Sequence, residues 1–108
     1  MTRYVLIDYR VKPEVNMEEL KREIGDFVAG FRAHHPQHRY TSLQHAADPL
    51  RFTHFGEVVE EATKDLQKQP FFLRFSQYLR ENCSNGPEVT GLNRIASTAV
   101  EIDKSPAD

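Results

Sequence analysis

The stretch Tyr4-Val5-Leu6-Ile7-Asp8-Tyr9-Arg10-Val11 reads as a strand, and near its middle it is apolar on both faces. Side chains alternate from face to face along a strand, so a sheet built on this one has two faces to cover. The rest of the chain offers two amphipathic helical segments, and helices packed side by side cover one face only. Something else has to cover the other. A second copy of the same sheet is the simplest candidate, which makes a homodimer with its sheets face to face the expected assembly.

Pro13 and Asn16 punctuate the end of the first strand, and Asn16 followed by Glu19 matches a capping box with Asn as the capping residue. At about 100° per residue, Met17, Leu20, Ile24, Phe27, Val28 and Phe31 fall within an arc of roughly 100°, with Glu18, Lys21, Arg22 and Asp26 away from its centre. The helix should end before Pro36, which pushes His35 out of the helical region. Arg39 to Gln44 and Leu50 to Val58 read as two strands of a hairpin whose loop carries Asp48-Pro49. Glu60 to Gln67 looks helical, and Pro70 predicts a break near Gln69 with a restart that holds the proline in its first turn. Asn85-Gly86-Pro87 then reads as the stop of this second helix and Val89 to Ala96 as the last strand. The order is βαββαβ, an α+β ferredoxin-like sandwich, and two such sandwiches joined sheet to sheet form a dimeric α+β barrel. Residues 1–98 make one domain, and 99–108 are a polar tail whose end is expected to be disordered.

A chain of 108 residues is long enough for one core and short enough that burial through oligomerisation would matter. Sixteen Asp and Glu are scattered among fourteen Lys and Arg, which leaves no basic stripe for a phosphate backbone, so nucleic acid is not expected as a partner. No apolar run is long enough for a membrane span or a signal core, and Cys83, the single cysteine, has no partner within the chain. A soluble cytoplasmic protein is expected. With no Trp, seven Phe and four Tyr, any ligand pocket must be lined by Phe and Tyr.

Several residues are candidates for chemistry. His34, His35 and His38 suggest a metal, but Pro36 breaks the helix that would align them, and histidines at a helix C-terminus are favoured by the dipole alone. No metal or other cofactor is therefore expected. His54 is the stronger candidate: strand alternation places it in an apolar row with Phe52, Gly56 and Val58. Burial would keep its imidazole neutral, with a pKa below the ordinary ~6.5, and available as a general base; otherwise it is a core histidine satisfied by hydrogen bonds. His45, beside the hairpin loop, is expected to be solvated. Asp8 is explained by a local pairing with Arg10 on its own face, and becomes a second base only if that face borders a cavity. In the second helix Phe72, Phe75 and Leu79 share one face, which Phe71 and Tyr78 widen beyond a packing stripe, so Phe72, Phe75 and Tyr78 are candidate pocket residues. Tyr9, Tyr40 and Tyr78 are candidate hydrogen-bond donors to a ligand, and Cys83 falls on the packing face.

The first strand followed by Pro13, the helix from Met17, the hairpin Asp48-Pro49-Leu50-Arg51-Phe52 and the run Gln69-Pro70-Phe71-Phe72 together resemble the antibiotic biosynthesis monooxygenase family over nearly the whole chain. The resemblance implies a dimeric α+β barrel and, for some members, oxidation of quinol-like or polyketide aromatics without a bound cofactor. The chain departs from the pattern where many relatives carry Glu on the third strand followed by an aromatic, since Gly56 and Val58 stand there, and Leu66 replaces a His four residues before the proline of the second helix. The lack of Trp argues against haem degradation. The expected function is a cofactor-independent monooxygenase acting on a small phenolic or quinol-type aromatic, with His54 as base and Tyr9, Tyr40, Phe72, Phe75 and Tyr78 around the substrate. The alternatives are a non-catalytic small-ligand binding or sensing barrel, and an interaction protein whose apolar interior is only packed core.

Overall fold

The computed structural model describes residues 1–99. Its elements run β1 (Thr2–Val11), α1 (Met17–His34), β2 (Arg39–Gln44), β3 (Arg51–Val59), a 3-10 turn at Glu60–Ala62, α2 (Thr63–Leu66), α3 (Pro70–Asn82) and β4 (Cys83–Leu92). Every strand pair is antiparallel and the sheet order is β2-β3-β1-β4. This is the ferredoxin-like α+β sandwich, with β1 and β3 central and β2 and β4 at the edges. The expected tail from residue 99 lies outside the described residues, apart from Ala99.

Local signals set most boundaries. The Asn16 side chain accepts a hydrogen bond from the Glu19 N–H at 3.0 Å and starts α1. His35 leaves the helix in an extended conformation, as a residue before proline must. Pro70 occupies the first turn of α3, where its missing N–H costs nothing. The Asp48 side chain accepts from the Leu50 N–H at 3.1 Å and shapes the hairpin loop.

The core lies on one face of the sheet. Tyr9 and Val11 from β1 and Phe52, His54 and Val58 from β3 are buried against Leu20, Ile24, Phe27 and Phe31 of α1 and Phe75 and Leu79 of α3. Phe27 stacks on Phe75 with centroids 4.3 Å apart and touches five further aromatic rings, so it joins the two long helices to the sheet. Glu23 sits inside the helix interface because Arg74 of α3 clamps its carboxylate with two hydrogen bonds, at 3.1 and 2.7 Å.

The other sheet face carries Tyr4, Leu6, Phe55, Leu43 and Leu92 among polar residues, and Leu43 and Leu92 are exposed. On this face the expected pairing of Asp8 with Arg10 does not form. Asp8 takes Arg51 instead, at 3.2 and 2.6 Å, with Thr53 at 3.2 Å, while Arg10 reaches Asp48 at 3.0 Å. Thr53 stands directly opposite Asp8 and Arg51 is its diagonal neighbour, within reach of a long side chain, so the bonds to the carboxylate come from β3.

The last strand also differs from expectation. It starts at Cys83, directly after α3, and runs through Asn85-Gly86-Pro87 to Leu92 rather than from Val89 to Ala96. Two features let turn-forming residues serve in a strand. The register shifts opposite Asp8 to Val11, and Gly86 adopts a φ of 83°, where a Cβ would come 2.8 Å from the Asp8 carbonyl oxygen. Pro87 is tolerated because β4 is an edge.

Two glycines of α1 should respond oppositely to the same substitution. A Cβ on Gly30 would stand 2.2 Å from the Phe71 ring, whereas one on Gly25 meets nothing within 4 Å. Gly25→Ala should stabilise the protein by up to about 1 kcal/mol through helix propensity. Gly30→Ala should cost about 1–3 kcal/mol through overpacking. Urea unfolding of both variants checks the pair, and equal signs would contradict this packing of α3 on α1.

Candidate active site

His54 occupies the middle of β3, opposite Ile7 of β1 and Ser42 of β2, and its side chain is fully enclosed between sheet and helices. A diagonal neighbour approaches from each side. The Tyr9 hydroxyl from β1 lies 2.8 Å from Nε2, and the Tyr40 hydroxyl from β2 lies 3.0 Å from Nδ1. Tyr40 reaches this position because residue 56 has no side chain: a Cβ on Gly56 would be 3.0 Å from two atoms of the Tyr40 ring. Gly56 is thus the residue that leaves room for the tyrosine beside the histidine.

A neutral imidazole has one N–H donor and one acceptor nitrogen, while two phenols bring two donors. With both nitrogens taken, one tyrosine donates to His54 and the other accepts from it. The accepting tyrosine keeps an O–H that finds no acceptor among the described residues. Burial holds His54 neutral by lowering its pKa to about 4, and burial drives the phenols of Tyr9 and Tyr40 well above their ordinary value. The site therefore holds a neutral proton acceptor and a spare phenolic donor a few ångströms apart.

Aromatic rings enclose it. Phe75 stacks on the imidazole at 5.8 Å and Phe27 lies at 6.3 Å, while Phe72 packs on Phe27 at 5.7 Å and on Phe31 at 6.4 Å. Of the candidates named from sequence, His54, Tyr9, Tyr40 and Phe75 meet directly, and Phe72 forms part of the surrounding layer. Tyr78 stands apart. Its ring stacks on Phe75 at 6.4 Å, and its buried hydroxyl has no partner in hydrogen-bonding geometry. Burial first, and then the Glu19 carboxylate, push that phenol up to about 12.

The remaining candidates are structural. His38 Nδ1 accepts from the Val59 N–H at 3.2 Å, so its Nε2–H donates to His34 Nδ1 at 3.1 Å, and His34 Nε2–H donates to Asp65 at 2.8 Å. This chain ties the end of α1 to the end of β3 and to α2. Among the described residues no group of three or more His, Cys, Asp or Glu is arranged to hold a metal. His45 bonds Thr53 at 2.8 Å, and Asp8 is held below the usual carboxylate range by its hydrogen bond to Arg51, which leaves it a poor base. Cys83 is half-buried against the core, and burial pushes its thiol up to about 11. No helix is long and apolar enough to cross a membrane.

No protein-family model matches the sequence, and no curated protein sequence does so either. Solved structures do match. A Pseudomonas aeruginosa protein is 26% identical with a TM-score of 0.72, the match covering 89% of this chain and 97% of that one. A structure named antibiotic biosynthesis monooxygenase is 18% identical with a TM-score of 0.74, covering 89% of this chain and all of that one. SnoaB, named a cofactor-independent oxygenase from Streptomyces nogalater, is 17% identical with a TM-score of 0.72, covering 90% and 96%. The chain has the fold of the antibiotic biosynthesis monooxygenases. Within that fold His54 stands on a central strand beneath the helices, at the place where the sheet and the aromatic layer meet.

The buried imidazole sets the acid response. In the unfolded chain His54 titrates near ~6.5, and in the folded chain near 4, so the unfolded state takes up the proton first as pH falls. The stability from burying it neutral is complete above about pH 6.5 and is lost progressively down to about pH 4, a loss of up to about 3 kcal/mol. Burial also lowers His38, which adds in the same direction. Urea unfolding at pH 7 and at pH 5 should show the fall, and His54→Gln should flatten it. An NMR titration of His54 with a midpoint near 6.5 would contradict the enclosed site.

Proposed function

We propose that the protein is a cofactor-independent monooxygenase of a small phenolic or quinol-type aromatic, with His54 as the base. The observation that carries this reading is the pairing, inside an aromatic shell, of a neutral imidazole with a phenolic O–H that has no acceptor among the described residues. Base and donor together are what deprotonation of a phenol and stabilisation of its anion require. The protein's own phenols already occupy the positions that a substrate hydroxyl would take. A substrate replaces one of them on His54, the imidazole draws its proton, and the spare tyrosine O–H turns to the oxyanion.

Magnitudes restrict the substrate. An imidazole near 4 faces a simple phenol near ~10, a gap that costs about 8 kcal/mol for complete proton transfer. The substrate must therefore have a strongly delocalised anion, and the low dielectric around the ion pair contributes the rest. Such an anion is electron-rich enough to reduce oxygen by itself. For a phenol with hydrogen at the para carbon, one atom of O2 becomes the new quinone carbonyl oxygen and the other leaves as water. The para hydrogen and the hydroxyl proton go into that water, and all four electrons come from the substrate. Phe27, Phe72 and Phe75 keep bulk water from the anion.

The second reading is a ligand-binding barrel without turnover. It is favoured by the complete enclosure of His54, both of whose nitrogens are already bonded. His54→Gln separates the two, because the amide can still donate to one phenol and accept from the other but cannot take a proton. Oxygen uptake with a responsive quinol should fall by about 10² or more in a variant that melts close to the parent. Unchanged uptake would remove the catalytic role.

The proposed assembly is a homodimer through the open sheet face, where Leu6 and Phe55 are cross-strand partners and Tyr4 stacks on Phe55 at 6.4 Å. Light scattering should report twice the chain mass at micromolar concentration. Leu6→Lys should yield a monomer or an unfolded chain, since an unpaired charge buried at such an interface costs about 3–5 kcal/mol. A well-folded parent monomer would overturn the barrel.

A further inference from the structure

The end of α1 and the turn leading into β2 face each other across a cleft of about 250 Å³, with Phe31 and Arg32 on the helix side and Pro36, His38 and Tyr40 on the other. Tyr40 links this cleft to the buried site, since it stacks on Phe31 at 4.1 Å and its hydroxyl lies on His54 Nδ1. Two imidazoles fasten the sides together. His34 of α1 and His38 of the turn lie in planes 6° apart, with His34 Nδ1 3.1 Å from His38 Nε2, and His38 meets Phe31 edge-on at 5.7 Å.

The surroundings fix the protons on this pair. The Val59 N–H donates to His38 Nδ1 at 3.2 Å, so His38 carries its proton on Nε2 and donates to His34 Nδ1. His34 then carries its own on Nε2 and donates to Asp65 at 2.8 Å. Every ring nitrogen is engaged while both rings are neutral. One more proton therefore breaks a contact: on His34 Nδ1 it faces the His38 N–H, and on His38 Nδ1 it faces the Val59 N–H. The charged neighbours select His34. The hydrogen bond from His34 holds Asp65 of α2 below the usual carboxylate range, with Lys68 acting in the same sense, so this carboxylate stays ionised while an imidazole beside it titrates. His38 resists the proton because of its burial first, and then because of His34 and His35. Arg32 of α1 offers no acceptor, and the register places Arg39 with Glu57 on the opposite face of the sheet.

We infer that the contact between His34 and His38 is an acid-operated latch on the entrance to the His54 site. Protonation of His34 at Nδ1 parts the rings, releases the end of α1 from the turn before β2 and widens the cleft beside Tyr40, where a ligand hydroxyl replaces that of Tyr40 on His54 Nδ1. His34 stays on Asp65 and His38 on Val59, so α2 and β3 keep their places. This rests on the reading of His54 as the group that meets the substrate, and it adds control over access. The base survives the opening, because burial keeps His54 neutral down to about pH 4.

Amide hydrogen exchange over residues 28–40, corrected for its intrinsic pH dependence, reads the latch without a ligand. Between pH 7 and pH 5 the parent should lose protection there by about tenfold or more. His34→Gln, whose amide accepts from His38 and donates to Asp65 but takes no proton, should keep it at pH 5. His34→Arg, which has donors only, should lack it already at pH 7. Thermal melts check that both variants are folded. Equal protection of the parent at the two pH values, or the same loss in His34→Gln, overturns the latch. Stopped-flow binding of naphthalene-1,4-diol without oxygen reads the entrance: association should be faster at pH 5 than at pH 7 in the parent, and equally fast at both in His34→Arg. A rate indifferent to pH and to both variants overturns the cleft as the way in. A working latch in a protein that binds no diol would refute the reading of His54 as a substrate group and leave the acid-operated opening standing.

Discussion

Placing an imidazole at the centre of a four-stranded sheet, away from water, obliges the fold to satisfy both of its nitrogens. The protein does so with one phenol from each neighbouring strand, Tyr9 of β1 and Tyr40 of β2, so three strands are fastened through a single side chain. A buried polar group without partners costs about 1–3 kcal/mol, and here the cost is avoided only in one register of β2 on β3. Gly56 fits the same requirement, because a Cβ there would crowd the Tyr40 ring at 3.0 Å. The aromatic layer of Phe27, Phe31, Phe72 and Phe75 then closes over a group that is already neutral.

That arrangement satisfies a buried histidine, and burial alone does not separate a structural role from a chemical one. A structural histidine needs two partners and has them. A third group, the unspent O–H of whichever tyrosine accepts, has no structural purpose and adds a desolvated donor to the core.

The two sheet faces divide their work differently. The helix face is held by ring packing, and the open face by ion pairs such as Asp8 with Arg51 and Arg10 with Asp48, which are partly exposed and so add little stability. Their value lies in orienting side chains around the apolar patch of Tyr4, Leu6 and Phe55 more than in holding the monomer together. An apolar patch framed by ordered polar groups is suited to meet a second sheet.

Short-range signals in the sequence determined the βαββαβ order and most boundaries. Asn16 caps α1, Pro36 and Pro70 place helix ends, and period-two alternation put His54 in its apolar row, because each of these acts through the backbone within a few residues. The same locality explains the errors. Asn85-Gly86-Pro87 is turn chemistry by composition, and only pairing with the bulged end of β1 makes it strand. Asp8 had Arg10 nearby in sequence, but the sheet placed Arg51 closer in space. Sequence could nominate Tyr9, Tyr40 and Tyr78 as donors; which of them converge depends on strand order and register. Tertiary structure brought two to His54 and left the third beside Phe75. It also buried Glu23 against Arg74 from 51 positions away. Periodicity fixes which way a side chain faces, but only packing between distant segments fixes what it meets there.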